Sequence, residues 1–379
     1  MATQLANGND ADQVLVEEKG FARTLILNRP RQLNALSYTM ITLLLKNFKA
    51  FEEDPNVKVL ILKGKGRAFC AGGDVAAVAR ADWTVGADFF RDEFTLNYII
   101  ATCSKPQVSL LDGICMGGGA GVSIHGKFRV VTEKTVFAMP ETALGLFPDI
   151  GASYFLSRIP GYFGEYAGLA GVRLDGPEML ACGLATHFVH STKLASLEEA
   201  LAKSATSDPF TVCGIIDQFS QDVPVKETSA FNRLEIINKC FSKGTVEEIL
   251  SALEKEALEV SDKWLHAAIE SLKKASPTSL KISLRSIREG RMQTVGECLI
   301  REYRMVCHVL RGDFSKDFFE GCRAILFDKD KNPKWTPSKL ELIGDRAVDK
   351  YFSKIEDSNW EDLKLPLGRR SNAKFISKL

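Results

Sequence analysis

Short β-rich runs alternate with helical stretches in the first half of this 379-residue chain, and this alternation limits the possible folds more than any other feature. The runs TLILN (24–28) and VKVLILKG (57–64) are rich in residues typical of strands. Between them, SYTMITLLLKNFKAFEED (37–54) has apolar residues at helical spacing. This order predicts a βαβ unit, in which two parallel strands are joined by a helix.

The same order of elements returns further along the chain. A helical stretch (88–103) precedes the strand PQVSLLDG (106–113), and strand signals thin out after about residue 155. Helical patterns then dominate, notably in residues 244–257 and 280–310. The sequence therefore predicts an α/β fold with a mostly parallel sheet and a largely helical C-terminal part.

Charge and cysteine usage exclude several kinds of partner. The 49 basic and 48 acidic residues almost cancel, and no apolar run is long enough to span a bilayer, so we expect neither nucleic-acid nor membrane binding. The nine cysteines form no C-x-x-C pair and have no histidine at zinc-ligand spacing. We therefore expect reduced thiols, no metal site and a small-molecule substrate.

Two glycine-rich stretches each follow a predicted strand. In RAFCAGGD (67–74), Gly73 leaves its backbone N–H open to a ligand, and the triplet at 117–119 stands at the start of the helical AGVSIHG. Each glycine of the triplet costs about 1 kcal/mol of helix stability against alanine, so another requirement must keep it there. Two N–H donors that converge from separate loops can form an oxyanion hole. The alternative is that both stretches are only tight turns.

A third motif, FAMPETALGLFPDIG (137–151), places Glu141 and Asp149 among apolar and turn residues. Burial there would raise the pKa of both carboxyls and make them chemically useful. Two structural alternatives stay open: Asp149 as the N-cap of a following helix, and Glu141 in a solvated turn.

Taken together, NRPRQLNAL (28–36), AFCAGGD, MGGGAG and FAMPETALGLFPDIG resemble the crotonase superfamily, and the MPET…FPD form is similar to that of 3-hydroxyisobutyryl-CoA hydrolases. The resemblance extends from about Val14 to Phe352. It implies a crotonase-like spiral of ββα units with a helical C-terminal part. We expect a flexible N-terminal tail (1–13), a spiral core with the active site (14–210), a helical region (211–354) and a C-terminal tail (355–379).

The resemblance also implies roles for particular residues. The N–H groups of Gly73 and Gly118 would hold a thioester oxygen, and Glu93 would line the acyl pocket, unless it is merely a surface charge on a helix. The substrate would be an acyl-CoA, so coenzyme A enters as part of the substrate and no separate cofactor is expected. The expected coenzyme A contacts are Arg31, Ala71 and Asp74.

One departure from the superfamily pattern bears on the reaction. Hydratases of this fold use two glutamates, and this chain has Gly121 where the first of them stands. Loss of one carboxylate favours thioester hydrolysis, with Glu141 as nucleophile or general base. Asp149 would then orient or deprotonate water, or hold the substrate hydroxyl. The alternatives are a hydratase or isomerase, and a non-catalytic acyl-CoA-binding scaffold. Ser123 and His125 lack the G-x-S-x-G pattern of a serine hydrolase, so we expect structural roles for them.

The last three residues of the sequence, Ser377, Lys378 and Leu379, spell the S-K-L peroxisomal signal. We therefore expect a peroxisomal import receptor as a partner and a peroxisomal location. The family resemblance adds the expectation of a homo-oligomer formed through the helical C-terminal part.

Overall fold

Two β-sheets form the centre of the computed structural model, which describes residues 10–260, 262–357 and 360–366. The larger sheet has the order β1-β2-β3-β5-β7-β10, and all its neighbours are parallel except β1 and β2. The smaller has the order β4-β6-β8-β9, with only β8 and β9 antiparallel. The strands are β1 Val14–Lys19, β2 Ala22–Leu27, β3 Val59–Gly64, β4 Ala68–Cys70, β5 Gln107–Leu111, β6 Ile114–Met116, β7 Phe128–Val131, β8 Val136–Ala138, β9 Leu174–Asp175 and β10 His187–Phe188.

The chain alternates between the two sheets in a regular way. Each of the pairs β3–β4, β5–β6 and β7–β8 contributes its first strand to the larger sheet and its second to the smaller one, and a helix follows each pair. This winding is a spiral of ββα units, as predicted. Strand β9 and strand β10 are only two residues long, which agrees with the weak strand signals after residue 155.

Sixteen α-helices complete the described part of the chain, and none of them is long and apolar enough to cross a membrane. They are α1 Tyr38–Glu53, α2 Val75–Val78, α3 Trp83–Thr102, α4 Gly118–Ile124, α5 Ala152–Leu156, α6 Phe163–Ala170, α7 Gly176–Ala181, α8 Leu194–Ala202, α9 Pro209–Asp217, α10 Leu234–Phe241, α11 Val246–Glu259, α12 Lys263–Lys274, α13 Pro277–Gly290, α14 Val295–Arg311, α15 Asp317–Cys322 and α16 Asp345–Phe352.

Helix boundaries follow local capping signals. Helix α1 begins after Ser37, whose hydroxyl accepts a hydrogen bond from the N–H of Met40 at 3.1 Å. The stretch predicted as helical over 280–310 is divided into α13 and α14. Helix α14 begins after Thr294, which forms a capping box with Glu297.

Hydrophobic residues on the two faces of the larger sheet enter different cores. Because side chains alternate along a strand, Leu60 and Leu62 face the main core, whereas Val59 and Ile61 face a smaller one. Helices α8 and α9 cover the smaller core, with Val212 and Ile216 fully buried in it. The remaining helices pack against the main core.

Part of the predicted C-terminal tail packs against helix α14. The indole of Trp360 stacks on the ring of Tyr303 with centroids 6.1 Å apart, and Nε of Arg304 lies 2.7 and 2.8 Å from the two carboxylate oxygens of Asp362. Leu363 is buried. Residues 360–366 are therefore an extension of the helical region, while residues 377–379 lie outside the described part of the chain.

We predict that Leu363→Ala lowers the free energy of unfolding by about 2 kcal/mol, because the substitution removes buried apolar contacts with the core. Denaturant unfolding measures the change. The matched control is Lys364→Ala in the same segment, where the side chain is exposed and a change within about 0.5 kcal/mol is expected. Equal stability of both variants would show that this segment does not contribute to folding.

Candidate active site

Three predicted site residues lie at one edge of the smaller sheet. Strands β4, β6 and β8 are parallel neighbours, so their carboxyl ends meet at the same edge. Gly73 follows β4, Gly118 follows β6 and Glu141 follows β8. Residues far apart in the chain are thus brought together by strand order alone.

These residues line a cavity of about 60 Å³. A space of this size holds a few water-sized groups. Five of its lining residues were predicted to act on the acyl group or its thioester oxygen, and a sixth was predicted to contact coenzyme A. The predicted residues that line the cavity are Ala71, Gly73, Glu93, Gly118, Glu141 and Asp149.

The glycine triplet is required by close packing around this cavity. Gly117 has φ of 47°, and a Cβ there would lie 2.9 Å from Oε1 of Glu141. A Cβ on Gly118 would lie 2.5 Å from Oε1 of Glu93 and 2.9 Å from the backbone nitrogen of Gly73. Side chains at these positions would displace the carboxyl groups and separate the two loops. Glycine is therefore required here although it lowers the stability of the helix.

The backbone N–H groups of Gly73 and Gly118 are free to bind a ligand. Within the described part of the chain, neither donates a hydrogen bond to a protein acceptor. Leu36 bonds to the residues on either side of Gly73, donating to Gly72 and accepting from Asp74, so the N–H of Gly73 points away from it. The arrangement suits an oxyanion hole, which needs two preorganised donors.

Three carboxyl groups around the cavity are almost completely buried: Glu93, Glu141 and Asp149. The alternatives of a solvated turn for Glu141 and a surface charge for Glu93 are therefore wrong. Asp149 is not an N-cap either, since helix α5 begins after Gly151 without a side-chain cap. Oε1 of Glu93 and Oε2 of Glu141 have no hydrogen-bond partner among the described residues.

Burial raises the pKa of all three carboxyls, because an ionised carboxylate loses its hydration there. It raises the pKa of Glu93 to about 8 and that of Glu141 to about 8, with a further increase for Glu141 from the nearby charge of Glu93. The pKa of Asp149 is raised well above its usual value by burial and then by the other two carboxyls and Glu302. Such perturbed groups in one cavity are typical of a catalytic site.

The side chains of His125 and Glu302 hold the loop that carries Asp149. The sequence did not predict this role for either residue. Ile150 has φ of 56°, which is strained for a β-branched residue. Its carbonyl accepts a hydrogen bond of 2.7 Å from Nε2 of His125. The carboxylate of Glu302, on helix α14, accepts from the N–H groups of Gly151 at 2.6 Å and Ser153 at 3.0 Å.

His125 and Ser123 therefore have structural roles, as expected. Burial lowers the pKa of His125 to about 4, so the ring is neutral and donates to Ile150. The hydroxyl of Ser123 donates to the carbonyl of Gly119 at 2.7 Å. Neither side chain is directed at the other as a nucleophile and base would be.

Asn97 is a buried residue that sequence reasoning missed. It lies one helical turn after Glu93 on helix α3, is fully buried, and has no hydrogen-bond partner for either amide atom among the described residues. A Cβ on Gly121 would lie 2.8 Å from Nδ2 of Asn97 and 2.9 Å from Cβ of Ile150. Asn97 thus fills the space that a side chain at position 121 would need. The sequence signal that could have found it is its position four residues after Glu93, which places both side chains on the same face of the helix.

The residues predicted to contact coenzyme A do not all lie in one place. Ala71 lines the cavity, and Asp74 lines a neighbouring surface cleft that also includes Arg29. The carboxylate of Asp74 accepts hydrogen bonds from Arg29 at 3.1 Å and from the N–H of Ala77, where it caps helix α2. Arg31 is exposed and lines neither space. The arginines that line this cleft are Arg29 and Arg80.

Two sheets wound from ββα repeats, with paired glycine N–H groups and buried carboxyls around one cavity, define a crotonase-type fold and site. The chain belongs to the enoyl-CoA hydratase/isomerase family, whose family model matches residues 22–352. The crystal structure of a carnitinyl-CoA dehydratase from Mycobacterium thermoresistibile is similar, with a TM-score of 0.84, 34% identity, and coverage of 93% of this chain and 98% of that one.

Three relatives bear on the activity within this family. 3-Hydroxyisobutyryl-CoA hydrolase 1 of Arabidopsis thaliana is 62% identical over the whole of both chains. The mitochondrial 3-hydroxyisobutyryl-CoA hydrolase of Gallus gallus is 43% identical and covers 94% of this chain and 92% of its own. Small ribosomal subunit protein mS47 of Arabidopsis thaliana is 44% identical, with coverage of 95% and 89%.

We predict that Glu302→Gln lowers turnover more than it raises KM, because the amide offers one acceptor oxygen where the carboxylate offers two to the loop of Asp149. The free energy of unfolding should fall by about 1–3 kcal/mol, since a buried N–H loses its partner. Steady-state kinetics and thermal unfolding measure both effects.

The matched control is Glu297→Gln on the same helix, where glutamine preserves the capping box and both measurements should stay near wild type. Wild-type turnover in folded Glu302→Gln would contradict the proposed support of the Asp149 loop.

Proposed function

We propose that this protein hydrolyses 3-hydroxyisobutyryl-CoA to 3-hydroxyisobutyrate and coenzyme A. The observation that carries the proposal is the cavity in which the free N–H groups of Gly73 and Gly118 lie beside Glu141, with glycine at position 121. The identity of 62% with an Arabidopsis protein named 3-hydroxyisobutyryl-CoA hydrolase 1 supports this choice of substrate.

The proposed reaction begins with the thioester oxygen bound by the N–H groups of Gly73 and Gly118. Negative charge develops on that oxygen when the carbonyl carbon is attacked, and fixed backbone donors stabilise it without reorganisation. These donors are placed by strand order, so they are present before substrate binds.

Glu141 supplies either the nucleophile or the base. As nucleophile, its carboxylate forms a bond to the carbonyl carbon, the C–S bond breaks, and coenzyme A leaves as a thiolate that takes a proton. Water then cleaves the mixed anhydride and regenerates the carboxylate. As base, Glu141 takes a proton from the attacking water directly. Both routes need an ionised Glu141, and Asp149 orients the water.

Glu93 is proposed to bind the substrate hydroxyl. Its Oε1 faces the cavity beside the glycine triplet and has no hydrogen-bond partner among the described residues. A hydroxyl on the acyl group would satisfy this buried oxygen, whereas an acyl group without one would leave it unpaired. This gives a physical basis for selecting a hydroxyacyl group.

A hydratase or isomerase is the weaker alternative. A glutamate at position 121, as in hydratases of this fold, would collide with Asn97 and Ile150. The non-catalytic scaffold has one observation in its favour, the similarity to a ribosomal protein. It leaves unexplained why three carboxyls are buried around one cavity, at a cost in desolvation.

We predict that Glu141→Gln retains the fold and acyl-CoA binding but loses hydrolysis by several orders of magnitude, because an amide neither attacks the carbonyl nor accepts a proton. Release of free thiol from 3-hydroxyisobutyryl-CoA measures the reaction. This readout also excludes a hydratase, which releases no thiol. Near-normal turnover in Glu141→Gln would contradict the role of Glu141 as nucleophile or base.

A buried carboxylate outside the cavity serves as the matched control. Glu165 is fully buried and pairs with Arg291 at 2.5 Å, so Glu165→Gln tests the loss of a buried charge without changing the site. We expect reduced stability but normal turnover per folded molecule.

We predict that turnover rises with pH as Glu141 loses its proton, with a midpoint near pH 8 because the pKa of Glu141 is raised to about 8.

The free energy of unfolding changes with pH in the opposite direction. The folded-state pKa lies above the ordinary 4.5, so the folded protein holds the proton more tightly and its contribution to stability is lost as pH rises from 4.5 to about 8. Because glutamine does not titrate, the Glu141→Gln variant does not lose stability in this way as pH rises.

The measurement compares unfolding of wild type and Glu141→Gln across that pH range. The stability of the variant relative to wild type should increase with pH. A difference independent of pH would contradict the raised pKa.

We also propose import into peroxisomes through Ser377, Lys378 and Leu379. The supporting observation is the S-K-L tripeptide, which receptors read at a free carboxyl end. The chicken relative is named as mitochondrial, so mitochondria are the competing location.

We predict that a fluorescent protein fused ahead of Met1, with Leu379 left as the last residue, enters peroxisomes and becomes diffuse when the last three residues are removed. A second fusion after Leu379 leaves Met1 free and tests the mitochondrial alternative. A diffuse or mitochondrial signal from the first fusion would contradict the peroxisomal assignment.

A further inference from the structure

Three metal-binding side chains converge on the opposite side of the larger sheet from the main core. His187 lies on strand β10, and Cys213 and Asp217 lie four residues apart on helix α9, which places them on the same helical face. None of the three lines the active-site cavity. His187 and Cys213 are 26 positions apart in the chain, so no local spacing revealed this cluster and the sequence predicted no metal site.

The donor atoms lie close enough together to share one metal ion, since one atom from each residue lies within 4.8 Å of the other two. Nε2 of His187 lies 3.3 Å from Oδ1 of Asp217 and 3.6 Å from Sγ of Cys213, and Sγ lies 3.8 Å from Oδ2 of Asp217. Bond lengths of about 2.0 Å to nitrogen or oxygen and about 2.3 Å to sulfur give tetrahedral edges of about 3.3 Å between N and O and about 3.5 Å to S. The separations of Nε2 from Oδ1 and from Sγ are near these values, while Sγ approaches the other oxygen of the same carboxylate.

The hydrogen-bond network sets the tautomer of His187. The hydroxyl of Thr186 donates to the carbonyl of Arg129 at 3.1 Å, so its oxygen accepts from Nδ1–H of His187 at 2.8 Å. Nε2 then presents its lone pair to the carboxylate of Asp217. Two acceptors 3.3 Å apart repel each other unless a cation lies between them.

From this geometry we propose that His187, Cys213 and Asp217 bind one zinc ion. A neutral imidazole, a thiolate and a carboxylate together carry two negative charges, which balance those of Zn²⁺. The carboxylate of Asp217 is 62% exposed, so the fourth position is open to water. The guanidinium of Arg129 donates to the carbonyls of Gly126, Gly183 and Leu184, so its hydrogen bonds are directed away from the three proposed ligands.

Bound zinc would join the last strand of the larger sheet to helix α9. Ligands that bind only the folded state stabilise it by mass action, so zinc would raise the melting temperature. The hydrolytic cavity lies on the other side of the sheet, so we expect hydrolysis to be unchanged.

The test is a calorimetric titration of the chelator-treated full-length protein with Zn²⁺, together with Co²⁺ as a spectroscopic probe. We expect one ion per chain, tetrahedral Co²⁺ absorption and a thiolate-to-cobalt charge-transfer band. Cys213→Ser should abolish that band, and His187→Gln and Asp217→Asn should each weaken binding. Asp217 is exposed, so Asp217→Asn carries little risk of misfolding.

Two further variants make the test specific. Cys103→Ser is the matched control, because Cys103 is half-buried and contacts the carboxylate of Glu52 at 2.9 Å. It should bind zinc as wild type does. Thr186→Val removes the acceptor for Nδ1 of His187 and should weaken zinc binding about 10–100-fold.

The proposal is overturned if the wild-type chain binds no zinc, or if Cys213→Ser and Asp217→Asn bind it as tightly as wild type. The second result would place any bound zinc at another site.

Discussion

The carboxylate of Glu302 links the helical C-terminal region to the loop of Asp149. Its two oxygens accept from Gly151, from Ser153 and from the hydroxyl of Ser153, while the guanidinium of Arg301 donates to that hydroxyl at 2.8 Å. Without these acceptors, the first N–H groups of a five-residue helix would be buried and unpaired. The left-handed Ile150 is strained, and strain of this kind persists only where the surroundings determine it fully. The active site thus depends on a helix about 150 residues away in the chain.

Burial of carboxyl groups around the cavity opposes stability and favours chemistry. Glu93, Glu141 and Asp149 are each raised in pKa, and the charge of Glu93 contributes to the shift of the other two. Because like charges repel, ionisation of one of these carboxyls opposes ionisation of the others. The folded protein tolerates this because the surrounding sheets and helices bury a large apolar core.

The sequence predicted the elements that local patterns determine. The alternation of strands and helices, the helical second half, and the positions of Gly73, Gly118 and Glu141 after strands all follow from periodicity and glycine chemistry. The residue roles assigned by family resemblance remain predictions, although the fold brings six of those residues to one cavity. What local patterns could not predict are contacts between distant segments. Glu302 binds residues about 150 positions away, and Arg29 meets Asp74 across 45 positions. Asn97 looks like any polar residue in a helix until Gly121 is placed beside it.

The order of strands in the smaller sheet has a consequence for how this fold accommodates different reactions. Neighbouring strands lie about 4.8 Å apart, and backbone hydrogen bonds rather than side chains maintain that spacing. The two donors after β4 and β6 are therefore backbone groups, which keep their positions as long as glycine is retained at position 118. The carboxyls at positions 93, 141 and 149 are side chains and can be exchanged singly, as glycine at position 121 illustrates. In the proposed mechanism, recognition of the thioester is thereby inherited with the backbone, and the outcome of the reaction is left to individual side chains.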